Sequence, residues 1–155
     1  MSGDLPPLSV MRPGRPLRVL LVDDTPADRE LAREAFGDHE QNVIVDTCAS
    51  GDRALAFLRA PGTTLPDVML LDLNMPGLTG FEVLAQLKDD PHLRVIPVVI
   101  LSSSAVTSDI DRAYTLHASS YLIKELNFER FVNQIDAFVR FWLRCCTTTR
   151  PDRPA

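Results

Sequence analysis

The chain has 155 residues, of which 45% are hydrophobic and 24% charged, a composition typical of one globular domain. Its formal charge of -5 gives no electrostatic basis for binding nucleic acid or an anionic membrane surface, so we expect neither partner. The sequence carries no apolar run of membrane-spanning length and no basic-then-apolar secretory signal at its start. Three cysteines without metal-binding spacing indicate reduced thiols and a cytoplasmic location.

Two segments at the ends of the chain lack the patterning of a folded core. Residues 1–16 contain four prolines and two glycines, and we predict that they form a flexible N-terminal tail. Residues 147–155 are polar and contain prolines, which predicts a flexible C-terminal tail. Residues 17–146 then form a single folded domain.

Between these tails, strand and helix signals alternate five times. Short, β-branched-rich apolar runs are typical of buried parallel strands, and they lie near residues 17–23, 43–48, 67–72, 96–102 and 119–124. Helices are predicted near residues 26–38, 50–60, 79–90, 107–117 and 127–145. This alternation predicts an α/β fold in which helices cover both faces of a doubly wound, five-stranded parallel sheet.

Local signals mark most of the predicted helix starts. These signals are Thr25-Pro26, Thr79 with Glu82, Ser108 with Asp111, and Asn127.

Of the three histidines, His39 and His92 fall in predicted loops and should be exposed, while His117 should lie at a helix end.

Reactive side chains follow four of the predicted strands. Asp23 and Asp24 follow the first strand and Asp72 the third, while Ser102 and Lys124 follow the last two. Because ligands of open parallel sheets bind outside the carboxyl ends of the strands, these groups should meet at one rim. A single aspartate, serine or lysine in such a place is more commonly a solvated or turn residue. Three carboxylates together repel one another unless a cation holds them, and a few oxygen ligands suit Mg²⁺.

Such a rim also suits phosphoryl chemistry. A carboxylate held by a metal can attack phosphorus and form an aspartyl phosphate. Phosphoryl transfer requires in-line positioning and neutralisation of the equatorial oxygens. Mg²⁺ and Lys124 supply that neutralisation, and the hydroxyl of Ser102 can donate a hydrogen bond to a phosphoryl oxygen.

Four motifs, in this order along the chain, resemble the receiver domain of two-component response regulators. They are Val22-Asp23-Asp24, residues 70–77 with Gly80 eight residues after Asp72, Leu101-Ser102-Ser103, and Tyr121-Leu122-Ile123-Lys124. The resemblance covers roughly residues 17–145 and implies the flavodoxin-like strand order 2-1-3-4-5. It implies that Asp72 is the phosphoacceptor. It also implies that Asp23, Asp24 and Asp72 bind Mg²⁺ together with the backbone carbonyl of Asn74.

The resemblance assigns roles to three further residues. Ser102 corresponds to the switch serine or threonine, Lys124 to the catalytic lysine of the family, and Tyr121 to an aromatic that changes rotamer on activation. For Tyr121, a half-buried strand aromatic without a switching role explains the sequence almost as well. The family usually places proline after its lysine, often through a cis bond, and here Glu125 follows. Because a non-proline cis bond costs ~3 kcal/mol or more, we expect a trans peptide or a strained loop.

A narrower resemblance connects the chain with stand-alone regulators paired with phytochrome-type photoreceptor kinases. It rests on the segment from Asp90-Pro91 to Val99, on Leu116-His117, on the missing proline, and on the ending Phe138 to Leu143. It implies a sensor histidine kinase of the bacteriophytochrome type as the phosphodonor. Only about ten residues follow the last predicted helix, too few for a DNA-binding module, so we expect signalling by protein–protein contact.

The leading hypothesis is therefore a single-domain response regulator, a signalling protein rather than an enzyme. One alternative is a phosphohydrolase with an aspartyl nucleophile, but such enzymes usually need a cap domain for which this chain has no room. Another is a non-phosphorylated receiver-fold scaffold. The full set of acids speaks against it, because a decayed receiver is expected to lose some of them.

The last predicted helix carries more apolar surface than the sheet can cover. Phe131, Ile135, Phe138 and Trp142 form one helical stripe that is core by default. A ~19-residue helix is about 28 Å long, however, and extends past a short strand. Its exposed aromatic end predicts an isologous homodimer, as the resemblance also implies. The expected interface residues are Tyr121, Phe138, Phe141, Trp142 and Cys145.

Overall fold

The computed structural model describes residues 15–146, without the side chain of Cys146, and contains one five-stranded parallel sheet. The strands are β1 (Leu17–Val22), β2 (Val43–Cys48), β3 (Val68–Leu71), β4 (Val98–Ser102) and β5 (Ser120–Ile123). The helices are α1 (Pro26–Gly37), α2 (Gly51–Arg59), α3 (Gly80–Asp89), α4 (Thr107–Thr115) and α5 (Phe128–Cys146). The observed order β2-β1-β3-β4-β5 confirms the predicted fold class and topology. The two predicted tails lie outside the described residues, except for residues 15 and 16.

The order of the strands creates a crevice at one end of the sheet. β1 pairs in parallel with both β2 and β3, so the direction of winding reverses beside β1. Loops that leave β1 and β3 therefore turn to opposite faces and open a gap at the carboxyl ends of these two strands. Asp23, Asp24 and Asp72 follow the two strands at this point.

The sheet is buried on both faces, which explains the continuous apolar runs in its central strands. All four residues of β3 have no exposed surface. Met69 and Leu71 face a cluster formed with α2, α3 and α4, and Val68 and Leu70 face a second cluster formed with α1 and α5. Each fully buried aliphatic side chain contributes about 1.5–3 kcal/mol to the stability of the fold. Packing in the two clusters therefore fixes the positions at which the central strands end.

Helix α5 supplies most of the second cluster through one stripe. Phe131, Ile135 and Phe138 are nearly fully buried, and the Phe138 ring meets that of Phe36 edge-on at 6.2 Å. Phe138 is therefore mainly a core residue. Phe141 is 58% exposed, as expected for a residue outside the stripe. Although α5 is the longest helix, neither it nor any other helix of residues 15–146 is long and apolar enough to cross a membrane.

The helix starts agree only partly with their capping signals. The Thr79 side chain accepts the Glu82 N–H while the Glu82 carboxylate accepts the Thr79 N–H, so the predicted capping box is present. Asn127 accepts the Arg130 N–H at 3.1 Å. The capping signals at Thr25-Pro26 and Ser108 agree less well with the structure. Pro26 is the first residue of α1, as its fixed backbone favours, but the Thr25 side chain makes no capping bond.

The capping box predicted at Ser108 is wrong. Helix α4 begins at Thr107, with Val106 in the N-cap position and no side-chain capping bond from it. The hydroxyl of Ser104 instead accepts the Val106 N–H at 3.3 Å. The hydrogen bond at the start of α4 is therefore made by a residue of the loop before the helix, and not by a residue of the helix itself.

One of the three histidines is placed differently from the prediction. His39 is 5% exposed, and its Nε2 lies 2.6 Å from the Asp136 carboxylate on α5. The prediction of an exposed His39 is wrong because the turn after α1 packs under α5, which the local sequence does not reveal. His92 is exposed, and His117 follows the end of α4 with a φ of 67°, as predicted. The peptide after Lys124 is trans, since residues 15–146 contain no cis bond.

The residue that opens α3 lies against the backbone of the neighbouring crevice loop. A Cβ on Gly80 would clash with the carbonyl oxygen of Asp72 and lie 2.7 Å from the Cα of Leu73. The Gly80 N–H also donates to the Leu73 carbonyl at 3.0 Å. Only glycine permits this approach, which explains its spacing of eight residues from Asp72.

We predict that Gly80→Ala displaces the loop that carries Asp72. The added methyl must push backbone rather than a flexible side chain, so urea unfolding should show a destabilisation of about 1–3 kcal/mol. Gly37→Ala is the matched control, because no atom lies within 4 Å of its added Cβ. That helical position should tolerate alanine or gain about 0.4–1 kcal/mol. Equal effects of the two substitutions would contradict the close approach.

Candidate functional site

Backbone bonds that continue the sheet place the functional side chains at its carboxyl edge. The Asp23 N–H donates to the Cys48 carbonyl at 3.1 Å, and the Asp72 N–H donates to the Val22 carbonyl at 3.0 Å. On the other side, the Lys124 N–H donates to the Ser102 carbonyl at 2.8 Å. The first residues beyond the strands are therefore still held in register, and their side chains are aimed into the crevice.

Three carboxylates meet in this crevice. Asp23, Asp24 and Asp72 each place one carboxylate oxygen so that all three oxygens lie within 4.8 Å of one another. Asp23 is buried, and the other two are half-buried. Oxygen ligands arranged this closely suit a hard divalent cation. The N–H of Asn74 donates to Asp72 Oδ1 at 3.4 Å, so the residue predicted to offer its carbonyl lies directly beside the cluster.

Lys124 reaches the same cluster from β5. Its ammonium nitrogen lies 3.1 Å from Asp23 Oδ2 and 3.3 Å from Asp28 Oδ2. Burial works to lower the pKa of Lys124, but the charges of Asp23, Asp28 and Asp72 together raise it. Lys124 therefore stays charged, and it is a cation that the cluster already holds.

The surroundings of Asp72 disfavour its ionised form. Burial, followed by the charge of Asp23, raises the pKa of Asp72 to about 6, and the charge of Asp24 acts in the same direction. Lys124 and the Asn74 N–H oppose this shift. One lysine does not fully offset three carboxylates, so the site favours a further positive charge.

Two members of the site were not identified from the sequence. Asp28, on the first turn of α1, shares Lys124 with Asp23, and Arg29 donates to the Asp23 carbonyl at 2.8 Å. Asp28 and Arg29 lie four and five residues after Asp24, so their positions in the chain could have suggested them.

The two predicted switch residues lie beside this site and are connected through the loop after β4. Ser102 is fully buried, and its hydroxyl oxygen accepts the Ser104 N–H at 3.2 Å. The half-buried Tyr121 donates its hydroxyl to the Ser104 carbonyl at 2.8 Å. Tyr121 therefore contacts the loop and packs on the cluster under α4.

The residues predicted for a dimer interface are not all on one surface. A groove of about 550 Å³ between β5 and the second half of α5 is lined by Phe138, Phe141 and Trp142, with Leu122 at its base. Tyr121 belongs to the opposite face of the sheet, as expected for neighbouring residues of a strand. Cys145 is exposed near the end of α5. The groove and its aromatic rim form the apolar part of the predicted interface.

Comparison with known proteins identifies the family and its relatives. Residues 19–136 match the model of the response regulator receiver domain. The chain is 38% identical over 146 residues to the probable methanogenesis regulatory protein FilR2 of Methanothrix harundinacea (strain 6Ac), covering 92% of this chain and 94% of that protein. It is 37% identical over 140 residues to the response regulator Rcp1 of Synechocystis sp. (strain ATCC 27184 / PCC 6803 / Kazusa), covering 85% of this chain and 92% of Rcp1.

Solved structures give the same relationship. The phosphorylated cyanobacterial phytochrome response regulator RcpA aligns with a TM-score of 0.80 at 38% identity, over 89% of this chain and all of RcpA (100%). The Mn²⁺-bound form of Rcp1 aligns with a TM-score of 0.77 at 36% identity, over 88% of this chain and 99% of Rcp1. A relative of this chain therefore has been solved with a divalent cation, and another has been solved phosphorylated.

We predict that Asp72→Asn stabilises the metal-free protein. The substitution removes one of three repelling charges while keeping the shape of the side chain. The free energy of unfolding in EDTA at pH 7 should therefore rise by on the order of 1–2 kcal/mol, after allowance for solvent screening. Asp111→Asn, at an exposed position on α4, is the control and should have little effect. A loss of stability in Asp72→Asn would mean that the three carboxylates do not strain the fold.

Proposed function

Because the chain belongs to the response regulator receiver family and is related to the phytochrome response regulators Rcp1 and RcpA, we propose that it accepts a phosphoryl group on Asp72. The donor is a phosphohistidine of a sensor histidine kinase of the bacteriophytochrome type, in keeping with RcpA being a phytochrome response regulator. The observation that carries this proposal is the position of Asp72 between two further acids and a charged lysine.

The transfer uses the residues of the crevice in separate roles. An oxygen of the ionised Asp72 carboxylate attacks phosphorus, the new O–P bond forms, and the N–P bond to the donor imidazole breaks. Lys124, which now shares its ammonium between Asp23 and Asp28, turns to a phosphoryl oxygen and neutralises it. The Ser102 hydroxyl donates a hydrogen bond to another phosphoryl oxygen.

The proposed metal is Mg²⁺, held by Asp23, Asp24 and Asp72 with the backbone carbonyl of Asn74. The donor set consists only of oxygens, which fits Mg²⁺ and also Mn²⁺, the ion bound in the Rcp1 structure. Burial and the charges of Asp23 and Asp24 raise the pKa of Asp72, which supports the same assignment, because a bound cation would favour the ionised carboxylate. When bound, the metal would neutralise phosphoryl oxygens as the charge on them develops.

The small phosphodonor acetyl phosphate should distinguish this function from its alternatives. With Mg²⁺, intact mass should show one phosphoryl adduct per chain. The adduct should be absent in Asp72→Asn and strongly reduced in Asp24→Ala, since Asp72 is the nucleophile and Asp24 a metal ligand. Asp111→Asn should be modified as fully as the wild type. An undiminished adduct in Asp72→Asn would refute the assignment, rapid turnover of phosphodonor would favour a phosphohydrolase, and no adduct at all would favour a scaffold.

Two exposed apolar surfaces suit two different protein partners. Leu126 is 90% exposed and, with Phe128 and Leu31, borders a pocket that contains Asp28 and Lys124. A kinase that delivers phosphohistidine to Asp72 must cover this edge of the crevice. Phe141, in contrast, stands on the aromatic rim of the groove along α5, far along the helix from the crevice. We assign that second surface to a second copy of this chain in an isologous homodimer.

Charge introduced at each surface should therefore disrupt only one partner. Phe141→Asp should lower the mass found by light scattering from near twice 17.2 kDa toward that of one chain, because it buries a charge in the apolar contact. Leu126→Asp should leave that mass unchanged and slow phosphotransfer from a bacteriophytochrome kinase, while acetyl phosphate still modifies it normally. Each variant is the control for the other. A wild-type monomer at all accessible concentrations would contradict the dimer.

A further inference from the structure

A groove of about 670 Å³, the edge groove, lies beside the end of β2 and is lined by Thr47 and Cys48 of that strand. β2 is the last strand on its side of the sheet. Most of the remaining lining comes from α1 and α2, which pack on opposite faces of the sheet. The edge groove therefore opens between two helices, at an edge where residues 15–146 supply no further strand.

The backbone on this side of β2 keeps hydrogen-bonding groups without a strand to meet them. The carbonyls of Asn42 and Cys48 accept N–H groups from the β1 side. Because the backbone groups of successive residues alternate between the two sides of a strand, those of Val45 and Thr47 point away from β1. Neither residue has a backbone bond to a segment other than β1 among the described residues. Such an edge is a template for pairing with another extended chain.

The edge groove is also positively charged. Arg29, Arg33 and Arg53 line it, and none of its described lining residues is acidic. Arg33 donates to the Thr47 hydroxyl at 2.7 Å, which holds its guanidinium beside β2. Its exposed contact with Glu30 is 3.5 Å long and contributes little. In a chain with a formal charge of -5, this local excess of positive charge favours a negatively charged partner.

A second arginine faces the edge groove from the other side of the sheet. Arg53 lies in the first turn of α2, whereas Arg33 belongs to α1. No ion pair of Arg53 is formed within the described part of the chain. Guanidinium groups bind carboxylates in a planar, two-pronged geometry. Two such groups, one from each face, can therefore hold two carboxylates that point in opposite directions.

We propose that the edge groove binds an extended acidic segment of a partner protein, which adds to the sheet as a strand beside β2. Neighbouring side chains of a strand point to opposite faces, so two consecutive acids in that segment would meet Arg33 and Arg53. Main-chain hydrogen bonds would supply affinity, and the two charges would supply specificity. This surface lies outside the crevice, and the inference does not depend on phosphorylation of Asp72.

A small anion would use only part of these groups. Phosphate could contact the arginines, but it offers no donor to the outward carbonyls of Val45 and Thr47. The backbone of an added strand offers both donors and acceptors. Phe57, which is 36% exposed, adds an apolar surface to the lining. Charge, backbone donors, backbone acceptors and an apolar contact together fit a peptide segment.

A fluorescently labelled peptide, acetyl-Thr-Val-Glu-Glu-Val-Thr-amide, tests the inference with the full chain. Its anisotropy should rise and saturate as protein is added, and the binding should weaken as salt is added. The same peptide with two lysines in place of the glutamates should not bind. Saturating peptide should also slow hydrogen exchange of the Val45 and Thr47 amides, because it pairs with that side of the strand.

A modified peptide separates strand addition from simple attraction between charges. N-methylation of both valines and both glutamates keeps the two carboxylates but removes the N–H donors on both edges of the peptide. Its affinity should fall at least about fivefold, as expected when two hydrogen bonds are lost. Equal affinity of the methylated and unmethylated peptides would show that the edge groove attracts anions without pairing a strand.

Arginine variants test the two charged contacts. Arg33→Gln and Arg53→Gln should each weaken binding of the peptide about two- to fivefold, the range of exposed ion pairs. Arg140→Gln is the matched control, since it makes the same change of charge at an exposed position of α5, a helix that does not line the edge groove. Arg140→Gln should bind as the wild type, and an equal loss in all three variants would reduce the effect to net charge.

Two further results would overturn the inference. Absence of saturable binding up to millimolar peptide would mean that the edge groove does not receive such a strand. Tighter binding of single-stranded oligothymidine than of the peptide would assign the arginines to nucleic acid. Neither result bears on the proposed phosphorylation of Asp72, because these measurements use no phosphodonor and no Mg²⁺.

Discussion

Repulsion among three carboxylates is the constraint around which this fold is arranged. The neighbouring strands β1 and β3 bring three acids together, Asp23, Asp24 and Asp72. The buried residues of the two strands hold the strand ends side by side, so the three carboxylates cannot move apart. Burial and the charges of Asp23 and Asp24 raise the pKa of Asp72, and Lys124 only partly opposes them. A site with this unrelieved charge attracts cations and couples any change of charge to its surroundings, and the residues that hold it cannot relax because Gly80 lets backbone pack directly against Asp72.

Much of this arrangement could be predicted from the sequence, for a physical reason. Strands buried on both faces must be apolar throughout, and the rim of a parallel sheet lies at their carboxyl ends, so the runs before Asp23, Asp72 and Ser102 placed these residues by topology alone. The same reasoning placed Lys124 at the rim, after the last strand. Helix starts were predicted well where the cap is local, as at Thr79, whose partner lies three residues away.

The features that were missed depend on contacts between distant parts of the chain. His39 is buried because it meets Asp136, which lies 97 residues away in sequence, and no local pattern reports such a pair. The cap of α4 comes from Ser104 in the preceding loop rather than from Ser108, since the loop folds back over the helix start. The predicted interface stays a prediction, and the structure adds that Tyr121 packs on the face of the sheet opposite to the one that carries Phe138 and Trp142.

Helix α5 is tied to the body of the protein at several points. Gln134 donates to the Ile123 carbonyl at 2.9 Å and accepts the Glu125 N–H at 3.2 Å, while Asp136 holds His39 at 2.6 Å. The α4 side lacks comparable anchoring in the core. The two helices that flank β5 are therefore anchored unequally: α5 by a buried stripe and three side-chain hydrogen bonds, and α4 mainly by Ala113 and by Arg112 stacked on the Phe81 ring at 4.2 Å. Because an element with fewer buried contacts is the easier one to displace, a surface on α4 is better suited to report a change of state, and a surface on α5 to hold a constant contact.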